Sequence, residues 1–196
     1  DDGHTHYTPS AGITEVRQAI AADLSKRLGR EIPGEQVVVT PGGKPIMFFS
    51  ILALVEEGDE VIYPNPGFPI YESMIRFAGA TPIPMQLHER FAYNPDIDEV
   101  ARLVTPRTKL IIVNSPNNPC GSVIPDECLQ SIAEIAVDAD AVVLSDEIYK
   151  DFYYEGTHTS ITSFPGMWDR TVVLDGLSKS YAMTGWRIGY GVLPEP

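Results

Sequence analysis

The sequence predicts an α/β protein built on one mostly parallel β-sheet whose two faces are covered by helices. Short runs rich in β-branched residues recur along the chain, and helical patterns lie between several of them. The chain has 196 residues, of which 43% are hydrophobic, so it can bury a substantial core. This length suits one large domain better than two small ones.

Seven short runs are candidate strands. They are QVVVT (36–40), EVIYP (60–64), TPIPMQL (81–87), KLIIVN (109–114), AVVLS (141–145), TVVLDG (171–176) and RIGYGV (187–192). Most of these runs are apolar on both faces, which is typical of strands buried on both sides of a parallel sheet. A seven-stranded, mainly parallel sheet is therefore expected.

Three stretches between the strands have helical character. Apolar residues recur at helical spacing over 13–24 and 129–136, and the stretch 45–55 is almost entirely apolar. Gly29 and Gly58 stand where the first two helices should end, because glycine favours the left-handed conformation of a helix C-cap.

The charge balance and the cysteines narrow the possible functions. The formal net charge is −13, which argues against a nucleic-acid backbone or an anionic membrane surface as the main partner. Cys120 and Cys128 are the only cysteines, and they form neither a CxxC pair nor a zinc-ligand pattern. No apolar stretch approaches the ~18 residues of a membrane span. We expect a cytoplasmic protein that acts on small molecules and binds no metal.

Chemically distinctive residues follow the candidate strands. The segments after five of the runs are Pro41-Gly42-Gly43-Lys44, Asn65-Pro66-Gly67-Phe68, SPNNPCG (115–121), Asp146-Glu147-Ile148-Tyr149 and Leu177-Ser178-Lys179. Ligands of open parallel sheets bind beyond the carboxyl ends of the strands, so these segments should meet at one edge. The sequence predicts there a site for a planar, anionic ligand that reacts with an amine.

The stretch LDGLSKSYAMTGWRIGYGV (174–192) contains the most distinctive residues. Lys179 follows an apolar strand, where we expect its amine to be buried. Burial lowers the pKa of a lysine and frees the amine to attack a carbonyl group, which gives a Schiff base. Arg187 is suited to binding phosphate, as are the free backbone N–H groups of Gly42-Gly43 at the start of a helix.

Most of these residues also have an ordinary structural interpretation. Asp146 taken alone is equally a helix N-cap or an exposed loop acid. Phe68 and Tyr149 are compatible with core packing, and Asn118 before proline with a turn. Tyr7 alone is a partly packed loop aromatic. The prediction of a site therefore depends on the combination of residues.

In combination, these residues resemble the class I/II aminotransferase family of fold type I pyridoxal-phosphate enzymes. The family's pyridoxal-lysine motif is matched by Gly176, Ser178, Lys179, Gly185, Arg187 and Gly189. Also present, in the family's order, are Tyr7 with Pro9 and Gly12, Gly43-Lys44, Phe68, NNPCG and SDEIY. The resemblance covers nearly the whole chain and implies a three-layer α/β/α sandwich with a seven-stranded mainly parallel sheet.

The resemblance implies roles around the cofactor ring. Lys179 would form the internal aldimine and later move the 1,3 proton, while Asp146 would hold the pyridine nitrogen protonated. Asn118 and Tyr149 would hydrogen-bond the ring oxygen, and Phe68 would stack on the ring face.

The resemblance also implies the phosphate contacts and a homodimer. The phosphate would be bound by the amides of Gly43 and Lys44 and by the side chains of Ser178 and Arg187. Tyr7 would reach the phosphate of the neighbouring subunit, so that two subunits share their sites.

Three departures from the family pattern are visible. Gly176 stands where many relatives carry a phosphate-binding serine, and Cys120 stands where threonine is usual. The family also continues into a small domain whose arginine binds the substrate α-carboxylate, and residues 1–196 lack that part. We therefore expect residues 1–196 to be the large pyridoxal-phosphate-binding domain, incomplete relative to the family.

The implied reaction is ping-pong transfer of an amino group between an amino acid and a 2-oxo acid. Lys44 resembles the lysine that binds the distal carboxylate in one subgroup of aspartate aminotransferases, so aspartate or glutamate is the expected substrate. One alternative is a lyase or synthase on the same scaffold, such as a C–S β-lyase. Another is a regulator in which a pyridoxal-binding domain is fused to a DNA-binding module. The segment AMTGWRIGY (182–190) favours the transaminase.

Overall fold

The seven predicted strands are all present and form a single sheet. In a computed structural model, which describes Gly3 and residues 5–195, the strands are β1 (Val37–Thr40), β2 (Glu60–Asn65), β3 (Thr81–Gln86), β4 (Thr108–Asn114), β5 (Val142–Asp146), β6 (Thr171–Gly176) and β7 (Gly189–Val192). Their order across the sheet is β1-β7-β6-β5-β4-β2-β3. Strands β2 to β6 pair in parallel, whereas β7 runs antiparallel to both of its neighbours. The prediction of a mainly parallel, seven-stranded sheet is confirmed.

The described part of the chain contains five α-helices. They are α1 (Thr14–Leu28), α2 (Lys44–Leu54), α3 (Ile70–Phe77), α4 (Ile97–Leu103) and α5 (Asp126–Asp138). Helix α1 ends as predicted at Gly29, which is left-handed with φ 66°. The corresponding prediction for Gly58 is wrong, because α2 already ends at Leu54 and the backbone becomes extended at Val55. Gly58 lies in the turn that follows.

Helices α3 and α4 were not predicted. They have 8 and 7 residues, which is too short for a helical repeat to stand out. A signal for α4 was nevertheless present, since the Asp96 side chain accepts hydrogen bonds from the backbone N–H groups of Asp98 and Glu99. An aspartate followed three residues later by glutamate is a usual sign of a helix start.

Helices pack on both faces of the sheet, so the predicted three layers are present. Helices α2 and α3 cover one face, where Met47 and Ile75 pack against Leu110 and Leu144. On the other face, α4 and α5 contact the middle of the sheet, and α1 covers β1, β7 and β6. No helix among the described residues is long and apolar enough to cross a membrane.

Candidate active site

A cavity of about 280 Å³ opens at the edge of the sheet where the parallel strands end. Nine of the ten predicted site residues line it: Gly43, Lys44, Phe68, Asn118, Asp146, Tyr149, Ser178, Lys179 and Arg187. They come from the segments that follow β1, β2, β4, β5 and β6. The tenth, Tyr7, which was expected to reach the site of a neighbouring subunit, is fully exposed and does not line this cavity.

Asp146 is the buried acid of the cavity. It ends β5 and is only 4% exposed. Its carboxylate accepts hydrogen bonds from the Tyr71 hydroxyl at 2.7 Å and from the backbone N–H of Ile148 at 3.3 Å. Burial raises the pKa of Asp146 to about 6, with a smaller contribution from the nearby carboxylates of Asp175 and Glu147, while both hydrogen bonds oppose the rise. Asp146 is therefore neither an exposed loop acid nor a helix cap.

Asn114 links the loops around Asp146. Its amide nitrogen donates to the Asp146 carbonyl at 3.1 Å, and its side-chain oxygen accepts from the backbone N–H of Asn118 at 2.8 Å. The Asn118 side chain in turn lies 3.5 Å from the Tyr149 hydroxyl. These bonds hold the predicted ring-contacting residues on one wall of the cavity.

Two residues of the site were missed from the sequence. Tyr71 lies on α3, a helix that was not predicted, and its hydroxyl contacts Asp146. Asn114 is the last residue of β4 and is 2% exposed. A polar residue that closes an otherwise apolar strand is a signal that was available for Asn114, whereas no sequence signal singles out Tyr71.

Lys179 lies on the loop that follows β6. Its amine is 5.6 Å from the centre of the Tyr149 ring, and the side chain is exposed. The expected burial of this lysine is therefore wrong. The cause is local: the sheet ends at Gly176, and the segment that follows turns away from the core toward the surface.

The part of the cavity at the start of α2 is suited to an anion. Gly43 is the N-cap of α2 and Lys44 its first residue, so free backbone N–H groups lie at the positive end of this helix. Arg187 lies alongside and donates to the carbonyl oxygens of Thr184 at 2.8 Å and Pro41 at 3.4 Å. Ser178 lines the same cavity.

Two glycines allow this approach of Arg187 to α2. A Cβ atom on Gly42 would lie 2.2 Å from a guanidinium nitrogen of Arg187. One on Gly189 would lie 2.2 Å from the carbonyl carbon of Gly42, which is backbone and cannot swing away. Glycine at 189 is therefore required for β7 to approach α2, and Gly42 has φ 88°, in the left-handed region that favours glycine.

Among the described residues, no group of His, Cys, Asp or Glu side chains is arranged to hold a metal ion. The charged groups of the cavity are the Asp146 carboxylate, two lysine amines and the Arg187 guanidinium. Together they can bind an anion and hold a proton, and the exposed Lys179 amine lines the same cavity in reach of solvent.

Comparison with known proteins gives consistent matches over the whole length. A family model described as aminotransferase class I and II matches residues 1–196. The chain is 43% identical over 195 residues to a probable aspartate/prephenate aminotransferase of Thermus aquaticus, covering 98% of this chain and 50% of the relative. It is 38% identical to aromatic-amino-acid aminotransferase 2 of Thermococcus litoralis, covering 100% of this chain and 51% of that protein.

The solved structures agree with the sequence matches. An aspartate aminotransferase from Thermus thermophilus with maleate superposes with a TM-score of 0.94 at 42% identity, covering 98% of this chain and 50% of that one. The chain thus spans about half the length of the relatives it matches. On its fold, its motifs and the match over residues 1–196, the chain belongs to the aminotransferase class I and II family.

Proposed function

We propose that residues 1–196 form the large, cofactor-binding domain of a pyridoxal-phosphate-dependent aminotransferase. The enzyme would move an amino group between an amino acid and a 2-oxo acid. One observation carries the proposal: a single cavity combines the buried carboxylate of Asp146 with the Lys179 amine and the Arg187 guanidinium. The domain assignment is supported by the relatives, since the chain aligns with about half of each.

The cavity residues fit pyridoxal phosphate, the cofactor on which this family generally depends. The volume of the cavity, about 280 Å³, is close to the lower end of the range for ligand pockets, roughly 300 Å³. The backbone amides of Gly43 and Lys44, together with Ser178 and Arg187, provide donors for a phosphate at a helix N-terminus. Asp146 adds a buried carboxylate to the same cavity, which a positively charged ring nitrogen would stabilise.

The cofactor, when bound, supplies an aldehyde that captures amines and a ring that accepts electrons. Asp146 would hold a proton at the ring nitrogen, because burial strengthens its interaction with a cationic N–H group. Lys179 would carry the cofactor and move the proton at the substrate Cα. Asn118 and Tyr149 would orient the ring through its oxygen, and Phe68 would lie against the ring face.

We further propose aspartate or glutamate as the amino donor. Lys44 lines the cavity, its side chain is exposed, and its amine lies 5.8 Å from the centre of the Phe68 ring, where it can meet a second carboxylate. The Thermus aquaticus relative is named for aspartate and prephenate, which supports the same choice. Replacing Lys44 with Met should lower kcat/KM for aspartate by about two- to fivefold and leave that for alanine nearly unchanged. Equal losses for both substrates would contradict this role.

A homodimer is the proposed assembly. Phe48, Phe49 and Phe77 form an aromatic patch on α2 and α3, in which the Phe49 and Phe77 side chains are 60% and 72% exposed. A second subunit would cover this apolar surface. Sedimentation should show a monomer when Phe49 and Phe77 are both replaced with Asp, whereas Val137→Asp on α5 serves as a control that stays dimeric. A dimeric double variant would contradict the assignment.

The catalytic assignment is tested on the full-length protein that contains this chain. After cofactor loading, borohydride reduction should label the peptide that contains Lys179. The label should vanish in Lys179→Ala and persist in Lys26→Ala, which changes an exposed lysine on α1. An undiminished label in Lys179→Ala would refute the assignment.

The reaction class has a separate readout. Aspartate should convert the cofactor to its amino form, and a 2-oxo acid should reverse the change. Release of pyruvate without an acceptor would identify a lyase instead. We also assign the protein to the cytoplasm, in keeping with Cys120 and Cys128, which are both free thiols.

A further inference from the structure

Four charged residues lie together beneath the candidate site and have no part in the proposed reaction. This charge cluster consists of Arg27 on α1, Glu147, Lys150 and Asp175. Glu147 and Asp175 are 1% and 0% exposed, and Lys150 is 9% exposed. Buried charges are rare in proteins unless they are paired, so the cluster requires an explanation.

The strand register places the cluster on the opposite face of the sheet from the cavity. Asp146 pairs with Leu174, and both line the cavity. Asp175, the next residue, points the other way and pairs with Tyr190 beneath α1. Successive side chains of a strand alternate between faces, which explains why adjacent residues serve the cavity and the cluster.

Asp175 is the most densely bonded member of the cluster. The Lys150 amine lies 2.6 Å from its Oδ2 atom, and the Tyr190 hydroxyl donates to the same atom at 2.9 Å. The backbone N–H of Gly176 donates to Oδ1 at 2.7 Å. Arg27 adds a longer contact at 3.8 Å and pairs with Glu147 at 2.8 Å. Lys150 also pairs with the exposed Asp151 at 3.1 Å. Within the buried cluster itself, two acids are balanced by two cations.

Lys150 and Asp175 both lie close in sequence to residues of the candidate site. Lys150 directly follows Tyr149, and Asp175 is the second-last residue of β6, four residues before Lys179. The Lys150–Asp175 bond therefore ties the segment after β5 to the end of β6, from which the loop of Lys179 leads. Replacing a buried ion pair by apolar residues is often neutral or stabilising, so stability alone does not account for the pair.

We propose that Lys150 and Asp175 form a positioning ion pair that sets the loops of Tyr149 and Lys179 against each other from the far side of the sheet. The inference deepens the proposed function and rests on it for the role of those two residues. Neither Lys150 nor Asp175 lines the cavity, so both act through their neighbours.

The pair also neutralises charge next to Asp146. The ionisable groups that act on the Asp146 carboxyl are Tyr71 on α3, Glu147 in the same segment and Asp175 on β6. The two acids raise the pKa of Asp146. The ionisable groups that act on Asp175 and Glu147 are Lys150, Arg27, Tyr190 and His158. Loss of Lys150 would leave one negative charge uncompensated, and groups in the cavity would then hold their protons to higher pH.

The first test is hydrogen exchange in the full-length protein without cofactor. Lys150→Met should speed amide exchange about tenfold in 146–150 and 175–179, while β2 and β4 keep their protection. Lys150→Arg should restore slow exchange, and Lys26→Met, which changes an exposed lysine, should have no effect. Unchanged exchange in Lys150→Met, or equal acceleration throughout the sheet, would overturn the proposal.

The second test uses the visible absorbance of the cofactor-loaded protein. The pH at the midpoint of the absorbance change should rise by about 0.5 to 1 pH unit in Lys150→Met and stay near the wild-type value in Lys150→Arg. Adding Asp175→Asn to Lys150→Met removes the uncompensated charge and should return the midpoint toward wild type, although local exchange stays fast. If the midpoint were the same in the wild type and in all three variants, the proposed effect of the ion pair on charge in the cavity would be refuted.

These two tests also separate this inference from the proposed function. If the wild-type protein took up no cofactor, the proposed function would fail, and the exchange measurement would still decide whether the ion pair orders the two loops. The double variant covers the case in which Lys150→Met does not fold, because it carries no unpaired buried charge.

Discussion

Replacement of Asp146 with Asn should stabilise the empty protein at neutral pH although it removes a group needed for the proposed reaction. Asp146 is 4% exposed, and burial raises its pKa from the ordinary 3.8 to about 6. Because the folded state binds this proton more tightly than the unfolded state, stability from Asp146 is present at low pH. It is lost as the pH rises from about 4 through about 6.

The magnitude follows from the two pKa values. One pKa unit corresponds to about 1.4 kcal/mol, so ionised Asp146 lowers the free energy of unfolding by about 3 kcal/mol above pH 7. At pH 4 the effect shrinks to less than about 1 kcal/mol, since the group is then almost fully protonated in the folded state and still partly protonated in the unfolded state. Asparagine does not ionise, and its side-chain oxygen can still accept from Tyr71. The free energy of unfolding of Asp146→Asn at pH 7.5 should therefore exceed that of wild type by about 1 to 3 kcal/mol. The lower value applies if the asparagine forms poorer hydrogen bonds than the aspartate.

The assay is urea unfolding of the cofactor-free protein at pH 4.5 and pH 7.5, for wild type and Asp146→Asn. The stability difference between the two proteins should grow with pH. Asp169→Asn is a surface control, expected to show little change at either pH. If Asp146→Asn were less stable than wild type at pH 7.5, or if the difference did not depend on pH, the assigned pKa and its cause would be wrong.

Further predictions address the hydrogen bonds, the glycines and the isolated chain. Tyr71→Phe removes a donor to the Asp146 carboxylate, so the acid limb of the pH–rate profile should move up by about one unit; an unmoved limb would contradict this. Gly189→Ala places a Cβ 2.2 Å from backbone and should destabilise by about 3 kcal/mol and weaken cofactor binding. A Cβ on Gly185 would meet no atom within 4 Å, so Gly185→Ala should be tolerated. If Gly189→Ala and Gly185→Ala had similar melting temperatures, the steric argument would be refuted. Residues 1–196 expressed alone should not convert the cofactor with aspartate or glutamate, and turnover matching a longer protein would show that the substrate site was misplaced.

The strands and the edge at which the cavity lies were predictable because their signals are local. In β6 every residue is buried, so a continuous apolar run stands out from its surroundings. Once a parallel sheet is inferred, residues that follow the strands must meet at one edge, which brought nine of ten site residues to the same cavity. Where the local signal was short, as in α3 and α4, the element was missed.

The remaining features depend on distances that no local pattern encodes. Arg27 and Glu147 are 120 residues apart in sequence, and each is an ordinary charged residue in its own segment. Their pairing follows only from the packing of α1 against the sheet. Lys179 shows the reverse error: its apolar flank suggested burial, whereas exposure is decided by where the loop after β6 turns.

The antiparallel strand β7 has a consequence for how the protein is made. Within the described sheet β1 pairs with β7, and Thr40 lies opposite Gly189, about 150 residues further along. A ribosome adds that length in roughly 8 to 30 s, during which β1 has been synthesised and its partner has not. The nascent chain thus presents VVVT, a β-prone segment with free backbone groups, to other nascent chains. Yield in a cell should therefore respond to translation speed and chaperone supply at constant native stability.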